Sequence, residues 1–109
     1  MPTTYKVLGQ VNPSATTATT LYTVPSATQA VVSTISVCNQ AGSAATFRIA
    51  IRIAGSALSA EEYIVYGATV PASDSTFFTI GLTLAATDVI TVYASSANVS
   101  FNAFGSEIS

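Results

Sequence analysis

Apolar and polar residues alternate with a period of two in short runs that recur along this chain, and the runs are separated by clusters of Gly, Pro, Ser, Asn or Asp. Successive side chains of a strand point to opposite faces of its sheet, whereas the apolar positions of a helix recur every three to four residues, so the pattern suits half-buried strands. Its clearest instance is Phe47-Arg48-Ile49-Ala50-Ile51-Arg52-Ile53. Phe47, Ile49, Ile51 and Ile53 fall on one face as expected core, and Arg48, Ala50 and Arg52 fall on the other.

Upstream, Val31 to Cys38 is rich in β-branched residues, and strict alternation groups Val31, Ile35 and Val37. The link Asn39-Gln40-Ala41-Gly42-Ser43-Ala44 has turn chemistry, which predicts an antiparallel hairpin between these two runs. The same reading gives strands over Tyr5–Val11, with Tyr5, Val7 and Val11 on one face, and over Leu21–Val24, ended by Pro25. Further strands are expected over Tyr63–Val70, Val89–Ala94, Val99–Phe104 and Thr76–Leu84, the last with Phe78, Ile80, Leu82 and Leu84 on one side and Gly81 marking a bulge or close packing. Ala57–Glu62 offers one helical turn at most. The expected class is therefore all-β: an antiparallel β-sandwich of about eight short strands, connected as a jelly roll or in immunoglobulin-like order. Residues 1–109 are expected to form that one domain.

Charge is scarce. Three Lys or Arg, five Asp or Glu and no His make only 7% of the chain charged, against about a quarter in an ordinary soluble domain. Without His, with one Cys and with scattered carboxylates, the usual components of acid/base catalysis, nucleophilic triads and transition-metal sites are missing. No P-loop lysine or G-x-G-x-x-G turn occurs either, so the chain is read as non-enzymatic, with no catalytic, cofactor or metal residues. A net charge of −2 leaves no basic footprint for nucleic acid or an anionic membrane. Mean hydropathy is +0.54, yet no apolar run reaches the roughly 18 to 20 residues of a spanning helix. The start, Met1-Pro2-Thr3-Thr4-Tyr5-Lys6-Val7, lacks a charged leader and apolar stretch, so export by the general route is not expected.

Each polar residue that stands out has an ordinary role. Asp74 and Asp88 follow small-residue turn signals, where a carboxylate accepts backbone amides, and no D-x-D-x-D calcium loop is present. Glu61-Glu62 reads as a solvated pair in a polar loop, and two positioned glycosidase carboxylates are not in view. Cys38 reads as a small buried hydrophobe, and Asn98-Val99-Ser100 as a glycosylation triplet without a secretory context. Arg48 and Arg52, about 13 Å apart by strand rise, cannot easily clamp one small ligand. On so uncharged a surface, Arg48, Arg52 and Lys6 are the candidate interface residues, with Lys6 also suited to blunting a sheet edge.

Several longer segments carry a resemblance. Leu21-Tyr22-Thr23-Val24-Pro25 with Val31 to Asn39, then Leu84 to Ala94 and Asn98 to Glu107, resemble small β-sandwich virion structural proteins of tailed phages over nearly the whole chain. These segments are structural and transfer no active site. The resemblance implies a virion part assembled in the host cytoplasm, and within that class a capsid cement or decoration protein, a group of small, weakly charged and often trimeric proteins. Its expected partners are further copies of itself, with a trimer favoured, and the major capsid protein or another virion protein. A tail, baseplate or fibre module is the alternative, although no helical attachment segment is present. A carbohydrate-binding module is a third reading, weakened by the lack of Trp and the dispersal of five Tyr along the sequence.

Overall fold

A computed structural model describes residues 2–109. Eight strands follow in order: β1 Thr3–Val11, β2 Thr19–Thr23, β3 Gln29–Asn39, β4 Ala45–Arg52, β5 Tyr63–Val70, β6 Ser75–Leu84, β7 Val89–Ala94 and β8 Val99–Ile108. Two 3₁₀ turns, Ile53–Gly55 and Ala60–Glu62, lie between β4 and β5. The strands form two four-stranded antiparallel sheets, ordered β1-β8-β3-β6 and β2-β7-β4-β5. The first strand thus pairs with the eighth, the second with the seventh, the third with the sixth and the fourth with the fifth. An antiparallel ribbon rolled across two sheets in this nested way is a jelly roll, and the immunoglobulin-like order is set aside.

That topology corrects the expected hairpin between Val31–Cys38 and Phe47–Ile53. β3 pairs with β6 and β8, and β4 pairs with β5 and β7 in the other sheet. The turn-forming link is real, but it carries the chain between sheets. Asn39 fixes this crossing: its buried side-chain amide donates to the carbonyls of Ser43, Val70 and Pro71, and its oxygen accepts from the Ala41 amide.

One apolar cluster fills the space between the sheets and draws residues from all eight strands, with Phe47, Ile35, Ile49, Ile90 and Phe101 among its largest members. Phe47 meets Phe78 and Phe101 edge-on at centroid separations of 5.8 and 6.2 Å. That geometry sets the positive rim of one ring against the negative face of the next.

Bulges redistribute several side chains that strict alternation groups together. The register of β3 shifts between Val32 and Thr34, so Ala30 and Val32 point inward before the shift and Ile35 and Val37 after it. Val31 lies on the other face. An unpaired residue in a ladder reverses the parity of everything beyond it. The shift between Val7 and Gly9 acts in the same way on β1, where Leu8 is buried and Val11 packs on the core while Tyr5 and Val7 are exposed. On β6 the mismatch falls at Ile80 and Gly81, and Ile80 is exposed. Ile51 is half-buried, and Ile53, expected in the core, is 71% exposed because β4 ends at Arg52 and the chain turns into the first 3₁₀ segment.

Candidate functional site

With both inner faces used for the core, any partner meets the two outer faces or the loops. The outer face of β1-β8-β3-β6 is set by register: Tyr5, Ser106, Val31 and Thr83 form one row, and Val7, Phe104, Thr34 and Thr79 the next. Phe77 extends the apolar area beside Ser36, and Tyr5, Val7, Phe77 and Phe104 are all exposed. A shallow groove runs between Tyr5, Val7, Val31 and Phe104.

The charged residues in these four strands are Lys6 and Glu107, and they are turned away from this face. Lys6 Nζ lies 2.9 Å from Glu107 Oε1, and Glu107 Oε2 accepts the hydroxyl of Tyr22 from the opposite sheet. The bond from Tyr22, then that from Lys6, holds the Glu107 carboxyl below the usual carboxylate range. Burial, reinforced by the hydrogen bond and charge of Glu107, pushes the Tyr22 phenol well above its ordinary value. Lys6 sits on an edge strand as expected, and its ammonium joins the two sheets' contact through Glu107.

The outer face of β2-β7-β4-β5 has a different character. Arg48 faces Tyr66 of β5 on one side and Tyr93 of β7 on the other. Side chains directly opposite on neighbouring strands stand close enough to touch. Arg48 Cζ accordingly lies 4.3 Å from the centroid of the Tyr66 ring and 4.2 Å from that of Tyr93. Tyr63 meets Tyr66 edge-on at 4.9 Å. Two register shifts in the β4–β5 ladder create this cluster, because residues 63 and 66 would face opposite ways in a regular strand. Gly67, at φ +76°, takes up the shift beside Tyr66. Three of the five tyrosines thus converge in space although they are dispersed in sequence.

Arg48 and Arg52 do not act together. Arg52 Nε donates to the Ser56 carbonyl at 2.6 Å and its Nη2 to that of Gly55 at 2.9 Å, which fastens the 3₁₀ segment. Asp88 accepts the amides of Ala85 and Ala54 at 2.9 Å each, and Asp74 accepts that of Ser75 at 2.7 Å. Glu62 closes a capping box with Ser59, and Glu61 accepts the Ser59 hydroxyl. Cys38 is half-buried on the outer face of β3. Among the described residues no group of three His, Cys, Asp or Glu could hold a metal ion, and no helix is long and apolar enough to cross a membrane.

The arginine and its flanking rings were partly legible, since Arg48 and Tyr93 occupy polar-face positions of strands whose alternate residues are apolar. What gathers them is pairing between distant strands, which no local pattern states. Neither a protein-family model nor a curated protein matches this chain.

Proposed function

We propose that this chain is a non-enzymatic virion structural protein, a cement or decoration protein that stabilises a phage head by docking on its shell. The observation that carries this reading is the outer face of β1-β8-β3-β6, which spans four strands, presents Tyr5, Val7, Phe77 and Phe104, and bears no charged side chain. Exposed aromatic area of that kind belongs with protein contact. The jelly roll supports the reading only as analogy, because it recurs in viral capsid domains, lectins and cupins alike. A trimer in the particle is the expected assembly.

Sedimentation of the protein with shells of its own phage that lack it tests this directly. Binding through uncharged surfaces should persist from low to high salt, since a Debye length of about 10 Å at 0.1 M has few ion pairs to screen. Phe77→Asp should abolish co-sedimentation without lowering the melting temperature. A protein that ignores shells and binds tails or neutral glycans would overturn the cement reading.

A further inference from the structure

Among the described residues Arg48 is the side-chain cation with neither an ion pair nor a hydrogen bond. Lys6 pairs with Glu107, and Arg52 donates to two carbonyls of its own loop. Among the described residues the Arg48 guanidinium has neither a carboxylate nor a hydrogen-bonded partner; it has only the rings of Tyr66 and Tyr93. We propose that the Tyr66–Arg48–Tyr93 row is a carboxylate-binding anchor that takes an Asp or Glu side chain of a partner protein.

The chemistry follows from the shape of the group. A guanidinium is a planar fork whose five N–H donors lie in its plane and match a carboxylate in bidentate fashion. Two rings at this distance attract the guanidinium electrostatically and limit its freedom, and no internal hydrogen bond uses its N–H groups. Arg48 and Tyr93 are half-buried and Tyr66 is 65% exposed, so the row lies at the surface of the sheet and is open to a partner. An arginine already fixed by its neighbours loses less freedom when it binds, and Tyr and Arg are enriched among the residues that dominate protein interfaces.

The charge balance of the molecule favours a different protein over a second copy. All five of its Asp and Glu side chains have internal partners: Glu107 with Lys6 and Tyr22, Asp88 and Asp74 with turn amides, and Glu61 and Glu62 at the 3₁₀ cap. An acidic sugar is less suited, because stacking on a sugar needs open ring faces and Arg48 covers one face of both Tyr66 and Tyr93. The inference rests on the reading of this chain as a protein-docking module, but it is tested on the free protein without shells, so the two can fail separately.

Only two arginines are present, so their Nε–H signals in a ¹⁵N-labelled sample are readily assigned with Arg48→Lys. Titration with the peptide acetyl-Gly-Glu-Gly-amide should move the Arg48 Nε–H and the Tyr66 and Tyr93 ring signals, and leave Arg52 in place. The Gln counterpart should bind at least about tenfold more weakly, and Arg48→Lys, which keeps the charge but loses the fork, should weaken the Glu peptide about as much. If Arg48→Lys does not fold, Tyr66→Leu serves instead and should weaken binding while the arginine remains. Equal responses to the Glu and Gln peptides, undiminished binding by the variants, equal movement of Arg52, or a response confined to a uronic acid oligomer would overturn the proposal. So would a change of oligomeric state in Arg48→Lys, which would make the occupant a second copy.

Discussion

The hydroxyl of Tyr22 donates to Glu107 across the gap between the two sheets, at 2.5 Å. Lys6 approaches the same carboxylate from the neighbouring strand β1, so one acidic side chain near the end of β8 ties together three strands of both sheets. The side chain of Glu107 is 14% exposed. A carboxylate so placed needs its partners, because solvent supplies little compensation if one is lost.

Tyr22→Phe should therefore destabilise the protein by about 1–2 kcal/mol near neutral pH, measured by urea denaturation. The pH profile gives a sharper signature. The folded pKa of Glu107 is depressed, so its contribution is present above the unfolded value of about 4.3 and is lost as pH falls through the folded one. The folded pKa of Tyr22 is raised, so its contribution is full below the unfolded value of about 10 and is lost as pH rises through the folded one. Tyr22→Phe should flatten the alkaline decline and shrink the acid one, leaving the part due to Lys6. Unchanged declines on both sides would show that the contact contributes nothing.

Within the run that most clearly announces a strand, the cost of truncation should fall along the sequence. Ile49 is fully buried, Ile51 is half-buried and Ile53 is exposed. Ile49→Ala should cost about 2–5 kcal/mol, Ile51→Ala about 1–2 kcal/mol, and Ile53→Ala should stay within about 0.5 kcal/mol of wild type. Comparable losses at Ile49 and Ile53 would put the strand end in the wrong place.

This gradient marks where the sequence is readable. Alternation, with β-branched runs bounded by turn residues, marks all eight strands; half-burial imposes the period of two on strands such as β3, while β7 is buried on both faces and is read from its composition. Alternation could not locate the bulges at Leu8 and Ser33, where one unpaired residue reverses the parity of the rest; at Gly81, where the sequence does suggest an irregularity, two residues, Ile80 and Gly81, lie opposite Ser33 and parity is kept. Alternation groups Val31 with Ile35, and Tyr5 with Val11, for that reason, whereas Ile80 is exposed because it lies in the unpaired stretch between inward-facing Phe78 and Leu82. Nor could it choose partners: the Asn39–Ala44 segment has turn residues whether it closes a hairpin or crosses between sheets. The Tyr66–Arg48–Tyr93 row depends on both kinds of hidden information, the pairing of β4 with β5 and β7 and the shift at Gly67. β8 also continues past Phe104 to Ile108, because β1 and β3 flank Gly105-Ser106-Glu107 and supply ladder bonds that its own composition does not suggest.

Thr91 lies beside the arginine row, on the same outer face of β7 as Tyr93, and its Oγ1 is buried without a hydrogen-bond partner among the described residues. Removing such a hydroxyl while keeping the shape relieves an uncompensated desolvation. Thr91→Val should stabilise the protein by about 1 kcal/mol, whereas Thr91→Ser, which keeps the hydroxyl and loses the methyl, should destabilise it. Thermal melts of the two variants should move in opposite directions; a destabilised Val variant would mean that the hydroxyl finds a partner in solution.

Two glycines mark where backbones approach too closely for any side chain. A Cβ on Gly105 would lie 2.0 Å from the Val31 carbonyl oxygen, and one on Gly9 would lie 2.1 Å from that of Leu21, where β1 passes over β2. Both obstacles are backbone atoms in paired strands, which cannot swing aside as a flexible side chain would. Gly67 differs in kind: its Cβ would meet nothing within 4 Å, but φ is +76°. Gly67→Ala should cost only the left-handed strain, about 1–2 kcal/mol. Gly9→Ala and Gly105→Ala should each cost at least about 3 kcal/mol, by forcing strands apart. Urea midpoints for the three variants test this ordering, and a mild Gly105→Ala would mean that β8 and β3 are not held at the separation described.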